Sequence, residues 1–158
     1  MVAARRLLAP LPARVSPAAA SIDRVLASPA KYLLQVPDSA TTRTAREMVI
    51  LALMRLARTD PRAAAVSWNE SLRTGVTAED QGYVWGQIAL WGARRHLPEA
   101  VGWFARANDT TLNDVQLAWR ARIALRNGVW PEVRAAIEKM SLQARLDSTW
   151  IYWHARAL

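Results

Sequence analysis

Catalysis and metal binding need nucleophiles, metal ligands or paired carboxylates, and this chain of 158 residues offers few of them. It contains no cysteine, which excludes disulfide scaffolds, thiolate metal sites and cysteine nucleophiles. Its two histidines, His96 and His154, are far apart, and no second ligand stands at metal-binding spacing from either of them. The sequence therefore predicts no metal centre, and it gives no reason to expect a cofactor.

Glutamates are the remaining candidates for acid–base chemistry. A glycosidase centre needs two carboxylates that face one bond. The six glutamates instead fall on different predicted helices, mostly near helix starts, where acidic groups favour the helix dipole. They are Glu47, Glu70, Glu79, Glu99, Glu132 and Glu138. Because the chain also lacks a Gly-x-Ser-x-Gly elbow and a glycine-rich phosphate loop, we predict that it has no catalytic residues.

The elements that would position any site are all predicted to be helices. Alanine, leucine and arginine fill the segments between few glycines and prolines, and runs of β-branched residues are missing. Proline follows Asp60, Leu97 and Trp130, where a first helical turn tolerates it, and Gly128 is a stop signal. Capping boxes are predicted at Thr77 to Asp80 and at Thr111 to Asp114. We expect one or two short helices in 21–35 and further helices at about 45–58, 61–73, 78–94, 98–107, 112–126, 131–140 and 147–158.

These predicted helices contain an internal repeat. Trp85, Trp119 and Trp153 are separated by 34 residues at each step, which makes them predicted core residues. Leu56, Leu90, Ala124 and Leu158 keep the same register. A 34-residue helix-turn-helix unit is typical of tetratricopeptide-like arrays. We therefore predict an all-α, helical-hairpin solenoid, or α-superhelix, over residues 21–158, preceded at 1–20 by an irregular linker or the tail of an earlier hairpin.

The last predicted helix carries Trp150, Tyr152 and Trp153 and has no short partner helix after it. Native solenoids usually end on a polar cap. We therefore expect the superhelical domain to be truncated at its C-terminus and to be part of a longer protein.

The charge is strongly basic. The net charge is +8, and Lys31 and Lys139 are the only lysines, so arginine supplies nearly all of the positive groups. Such a surface favours anionic partners. Four arginines on the long predicted helices, which we call the basic ladder, are the candidate ligand-binding residues: Arg94, Arg122, Arg126 and Arg156. The alternative is that these arginines pair with helix ends or pack their stems over tryptophan.

No apolar run in the sequence is long enough to span a membrane. The apolar stretch within the first ten residues is also too short to be a secretory signal.

Three segments of this sequence resemble a known family. They are Leu56-Ala-Arg-Thr-Asp60-Pro61-Arg-Ala-Ala64, Leu117-Ala-Trp119-Arg-Ala-Arg122-Ile-Ala-Leu-Arg126-Asn-Gly128-Val-Trp130 and Asp147-Ser-Thr-Trp150-Ile-Tyr152-Trp153-His-Ala-Arg156-Ala-Leu158. Over residues 45–158 the chain looks like the helical superstructure domain of soluble lytic murein transglycosylases. The resemblance implies a periplasmic parent enzyme that cuts the β-1,4 bond between N-acetylmuramic acid and N-acetylglucosamine and leaves a 1,6-anhydro sugar. It implies peptidoglycan strands as partners, and a signal peptide outside this piece.

In that family one glutamate of a lysozyme-like C-terminal domain, in a Glu-Ser-x-aromatic motif, acts as acid and then as base. Glu70-Ser71 is followed here by Leu72-Arg73, and no Gly-x-Met-Gln motif follows. We therefore expect the catalytic domain to be absent from this piece and the piece alone not to be an enzyme. The predicted function is a non-catalytic scaffold that holds the catalytic domain of the same parent chain and guides glycan strands.

Two other functions were weighed against this one. A free-standing tetratricopeptide-like adaptor for protein segments would need polar caps at both ends, which the sequence lacks. A helical-repeat nucleic-acid binder is compatible with the basic charge. However, it would need recurring base-reading polar positions and lysine-rich phosphate contacts, and these are missing. We therefore expect no nucleic-acid partner and keep the adaptor as the alternative.

Overall fold

The computed structural model describes residues 19–36, 42–70, 76–107 and 112–158, and these ranges contain helices without strands. The helices are α1 (Ala19–Ala27), α2 (Pro29–Gln35), α3 (Arg43–Thr59), α4 (Pro61–Glu70), α5 (Ala78–Arg94), α6 (Ala100–Arg106), α7 (Asp114–Arg126), α8 (Trp130–Glu138), α9 (Leu142–Arg145) and α10 (Ser148–Arg156). The all-α prediction is confirmed. Most of the predicted linker at 1–20, and the predicted end of the helix at 61–73, lie outside the described residues.

Short polar side chains begin most of these helices by accepting bonds from backbone N–H groups of the first turn. Thr42 accepts from the Ala45 amide at 3.2 Å, and Thr77 accepts from the Asp80 amide at 3.1 Å, as predicted. The third case differs from the prediction. Asn113 and Gln116 form a reciprocal capping box with both bonds at 3.0 Å. Thr111, the predicted cap, lies outside the described residues.

Two of the hairpin turns use the same backbone motif. At the end of α5 the Leu97 amide donates to the Gly92 carbonyl at 3.0 Å, and His96 adopts a left-handed φ of 59°. At the end of α7 the equivalent bond is 2.9 Å long, and the left-handed residue is Gly128 with a φ of 70°. This is the Schellman motif, which satisfies the last carbonyls and turns the chain sharply. The repeat seen in the sequence therefore extends to the turns.

The helices form antiparallel hairpins that stack on one another. The pairs α3 and α4, α5 and α6, and α7 and α8 pack as hairpins, while α5 packs against both α3 and α7. Within α3, the buried residues Val49, Leu53 and Leu56 follow helical spacing, which turns one face toward the core. The core runs continuously from Ile22 to Trp150 through each hairpin. The solenoid prediction is confirmed, because each hairpin buries its apolar stripe against the next.

Small residues set how closely the hairpins pack. A Cβ atom on Gly92 of α5 would stand 2.5 Å from Cζ3 of Trp103 on α6, and 3.3 Å from the Ala100 Cβ. Only hydrogen fits there, so Gly92 lets the indole lie directly on the α5 backbone. Gly86, one and a half turns earlier, faces Leu112 in the same way at 2.8 Å.

The repeat loosens at α10. Its main partners are α8 and the short α9, and the four-residue helix α9 was not predicted from the sequence. Trp85 is buried as expected, but Trp119 and Trp153 are only half-buried. The Trp153 ring lies 6.4 Å from that of Trp130 and 5.0 Å from that of Tyr152.

In the part of the chain that the structure describes, no helix is both long and apolar enough to cross a membrane.

Candidate functional site

Most of the glutamates that could carry acid–base chemistry form ion pairs with arginine. Four of them form ion pairs: Glu47 with Arg43 at 2.8 Å, Glu99 with Arg62 at 2.9 Å, Glu132 with Arg120 at 2.7 Å and Glu138 with Arg134 at 2.7 Å. Hydrogen bonds from Arg62, chiefly, hold the pKa of Glu99 below its usual value, and those from Arg134 and then His154 do the same for Glu138. A general acid at neutral pH needs a raised pKa. These two carboxyl groups are shifted the opposite way.

The remaining candidates are also dispersed. Glu79 lies in the first turn of α5, and Glu70 is the last residue of α4, while Ser71 lies outside the described residues. His96 occupies the exposed turn after α5, and His154 on α10 places its Nε2 atom 3.4 Å from Glu138. Among the described residues, no three potential ligands of a metal ion come together.

Arg120 has a structural role that the sequence analysis did not separate from the other arginines. Its side chain is buried, and its Nε and Nη2 atoms donate to one oxygen of Glu132 at 3.0 and 2.7 Å. The pair connects α7 with the first turn of α8. Since burying a charged guanidinium costs free energy unless the charge is paired, Glu132 acts as the internal partner of Arg120 in addition to its place near the helix dipole.

The main surface feature is an alternating stack of arginine and tryptophan side chains. It crosses four helices, and we call it the Arg–Trp row. Its members, in spatial order, are Arg58 of α3, Trp91 and Arg94 of α5, Trp119 and Arg122 of α7, and Trp150 of α10. The distances from each guanidinium carbon to its ring centroids are 5.3 Å for Arg58 to Trp91, 5.0 and 5.8 Å for Arg94 to Trp91 and Trp119, and 5.3 and 5.0 Å for Arg122 to Trp119 and Trp150. Each value lies within the range of a cation–π contact.

The row shares two residues with the predicted basic ladder. Arg94 and Arg122 are brought together because both stack on Trp119. Arg126 and Arg156 are exposed and make no ion pair or ring contact within the described ranges. Arg58 was missed. The alternative interpretation, that arginine packs over tryptophan, applies to Arg94 and Arg122, although both side chains remain exposed.

The electrostatics of the row differ from those of the ion-paired arginines. The arginines of the four ion pairs above bind glutamate, whereas the three arginines of the row lie over tryptophan rings, as Arg106 does over Trp85 at 4.8 Å. One carboxylate stands nearby. The pKa of Asp147 is lowered mainly by hydrogen bonds from Thr149 and, to a smaller extent, by the charge of Arg122. The row is therefore a positively charged surface with ordered, exposed guanidinium groups.

The chain is similar in fold to a solved bacterial enzyme structure. No model of a protein family matches the chain, and no curated protein matches it. Among solved structures, it is similar to the X-ray structure of an inactive mutant of the lytic transglycosylase Slt from Pseudomonas aeruginosa. The identity is 27%, the TM-score is 0.75, and the match covers 98% of this chain and 25% of that chain. The chain thus spans about a quarter of that protein's length. The resemblance to a helical domain of lytic transglycosylases, read from the sequence, is confirmed.

Proposed function

We propose that this chain is a non-catalytic helical scaffold of a soluble lytic transglycosylase. The observation that carries the proposal is the likeness of nearly the whole chain, in both fold and sequence, to a part of such an enzyme. In this proposal a separate lysozyme-like domain of the same protein cuts the β-1,4 bond of peptidoglycan and leaves the 1,6-anhydro sugar. The site of action is the periplasm.

The paired glutamates support a scaffold rather than an active site. The carboxyl groups of Glu99 and Glu138 have lowered pKa values, so they stay ionised at neutral pH and cannot protonate a leaving sugar oxygen. The stacked hairpins instead provide an extended framework, which suits the positioning of another domain.

The superhelix in this proposal also continues beyond the hairpins described. Ile151 of α10 is 55% exposed, whereas its counterpart one repeat earlier, Leu117, is 2% exposed. On α7 the corresponding face is covered by the helix that follows it. A further helix on α10 would bury Ile151 in the same way.

The third part of the proposal concerns glycan strands. The lactyl and peptide carboxylates of peptidoglycan are anionic, and the net charge of this chain is +8. The basic ladder of Arg94, Arg122, Arg126 and Arg156 would raise the local concentration of strands near the catalytic domain.

Co-sedimentation with insoluble peptidoglycan at low and moderate salt tests this function. The expected result is binding that weakens with salt, since exposed charges are screened, and no release of anhydro-muropeptides into the supernatant. Changing all four ladder arginines to Gln should weaken binding. The matched control changes four exposed arginines away from the ladder to Gln: Arg24, Arg43, Arg62 and Arg134.

The other outcomes are also decisive. Equal loss in both quadruple variants would show that net charge alone, and not the ladder, holds the strands. No binding at either salt would contradict the guiding role and leave only mechanical support of the catalytic domain. Released anhydro-sugar would refute the non-catalytic assignment.

A further inference from the structure

We propose that the Arg–Trp row is a carboxylate-binding surface whose geometry only arginine can supply, and that it takes a linear polymer with acidic groups at intervals. The identity of that polymer rests on the proposed function, which makes it the peptidoglycan strand. The binding chemistry rests on the row itself. The row differs from the basic ladder in its members. It includes Arg58 and three indoles that the ladder lacks, and it does not include Arg126 or Arg156 of the ladder.

The fold limits the spacing of the guanidinium groups along the row. Arg94 and Arg122 contact the same Trp119 ring at 5.8 and 5.3 Å, so their guanidinium carbons can be at most about 11 Å apart. Arg58 and Arg94 share Trp91 at 5.3 and 5.0 Å, which limits their separation to about 10 Å. Stacked helices lie about 8–10 Å apart. The fold therefore repeats one guanidinium for each stacked helix, and a ligand that spans the row needs several acidic groups.

Exposed N–H donors of the row remain available to a ligand. A guanidinium is planar, and its N–H donors point outward in the plane. The indole centroids lie 5.0–5.8 Å from the guanidinium carbons of Arg94 and Arg122, and both side chains keep an exposed side. Arg94 and Arg122 each have indole rings of two tryptophans nearby and remain exposed, so their donors can reach a ligand from solvent. A carboxylate fits such an edge with two parallel hydrogen bonds.

The arginine side chains of the row are also restricted before a ligand binds. A free surface arginine loses rotamer freedom when it grips a ligand, and this loss reduces affinity. Contact with Trp119 already restricts Arg94 and Arg122. Lysine carries the same charge on a flexible stem but cannot stack as a plane or donate two parallel bonds. The row should therefore distinguish arginine from lysine at the same net charge.

The test compares two double variants that keep the charge. Arg94→Lys with Arg122→Lys removes the planar groups from the row. Arg24→Lys with Arg134→Lys is the matched control, because these two arginines are exposed, lie outside both the row and the basic ladder, and contact no ring of the row. The probes are soluble peptidoglycan strands, the same strands with their carboxylates converted to primary amides, and poly-L-glutamate. Calorimetry gives the affinity, and the change of total tryptophan fluorescence on titration gives a second, independent binding curve.

We expect the row variant to bind unmodified strands and poly-L-glutamate about tenfold more weakly than the unaltered chain, and the control variant to bind within about twofold of it. Amidated strands should not bind detectably. Far-UV circular dichroism of each variant should match that of the unaltered chain, which separates loss of binding from loss of fold.

Three results would overturn the proposal. They are equal affinity of the row and control variants, equal binding of amidated strands, and absence of binding to both acidic probes. Two outcomes distinguish failure of the row from failure of the proposed function. If strands bind but the lysine exchange in the row has no effect, the row is wrong and the peptidoglycan role stands. If poly-L-glutamate binds through the row and strands do not, the carboxylate surface stands and the peptidoglycan role fails.

Discussion

Gly92 is the position where a single methyl group should do most harm to the hairpin stack. An alanine there would place its Cβ 2.5 and 2.9 Å from two carbon atoms of the Trp103 ring. Ordinary contacts between carbons are about 3.5–4.0 Å, so the ring and helix α5 must separate by about 1 Å. An indole is rigid and cannot bend away. Overpacking of this kind costs about 3 kcal/mol, and alanine regains about 1 kcal/mol of helix propensity over glycine.

We therefore expect Gly92→Ala to lower the free energy of unfolding by about 2 kcal/mol, which for a chain of this size is a Tm about 4–8 °C lower. Urea unfolding followed by circular dichroism and tryptophan fluorescence measures the change, and coincidence of the two curves justifies a two-state free energy. Gly102→Ala is the matched control. A Cβ on Gly102 of α6 would meet no atom within 4 Å, so this variant should be about 0.5–1 kcal/mol more stable.

A second variant isolates the cause. Adding Trp103→Leu to Gly92→Ala should relieve the clash, and the two changes should couple by more than about 1 kcal/mol in a double-mutant cycle. If Gly92→Ala stabilises the chain as much as Gly102→Ala does, the close approach of Trp103 to the α5 backbone is wrong.

Three further predictions concern the buried ion pair, the two left-handed hairpin turns and the acid side of stability. Glu132→Gln should lower the free energy of unfolding by about 3 kcal/mol, because it takes the carboxylate from the buried Arg120; an unchanged urea midpoint would contradict this. At the left-handed turn positions, His96→Gly should raise stability by about 1 kcal/mol and Gly128→Ala should lower it by a similar amount, as thermal melts would record. Hydrogen bonds from the hydroxyl and the backbone N–H of Ser141 lower the pKa of Asp114. The contribution of Asp114 to the free energy of unfolding is therefore complete above about pH 4 and is lost as pH falls through the lower pKa of the folded state. Asp114→Asn should accordingly flatten the fall of Tm between about pH 4 and pH 2, and an unaltered acid slope would refute that assignment.

The features of the fold that the sequence predicts are those with a local cause. Proline at helix starts, Gly128 at a stop and apolar residues at helical spacing each act within a few residues, and the helices they predict are present in the structure. The short helix α9 lacks such punctuation, since Leu142–Arg145 contains neither proline nor glycine and has no buried face. The cap at Asn113 was missed for a different reason. Thr111 and Asn113 are both good capping residues and stand two positions apart, so the sequence does not decide between them.

The Arg–Trp row could not be found by a search for repeats. Arg58, Arg94 and Arg122 are 36 and then 28 residues apart, so none of these steps equals the 34-residue period that relates the predicted core tryptophans. The row runs obliquely, from the last turn of α3 to the first turn of α10. Only the stacking of hairpins in three dimensions brings Trp91 and Trp119 between these arginines and places Trp150 beyond Arg122.

The nearest-neighbour packing of the hairpins also has a mechanical consequence. A globular core resists pulling as one block, but a stack whose members touch only adjacent members can stretch and recoil like a spring. In such a spring a small change of pitch is shared among all the junctions and alters the gap at each one by only a little. The guanidinium groups of the Arg–Trp row lie on successive hairpins, so stretching the stack would increase the distances between them. A polymer that fits these groups at one extension would then fit less well at another.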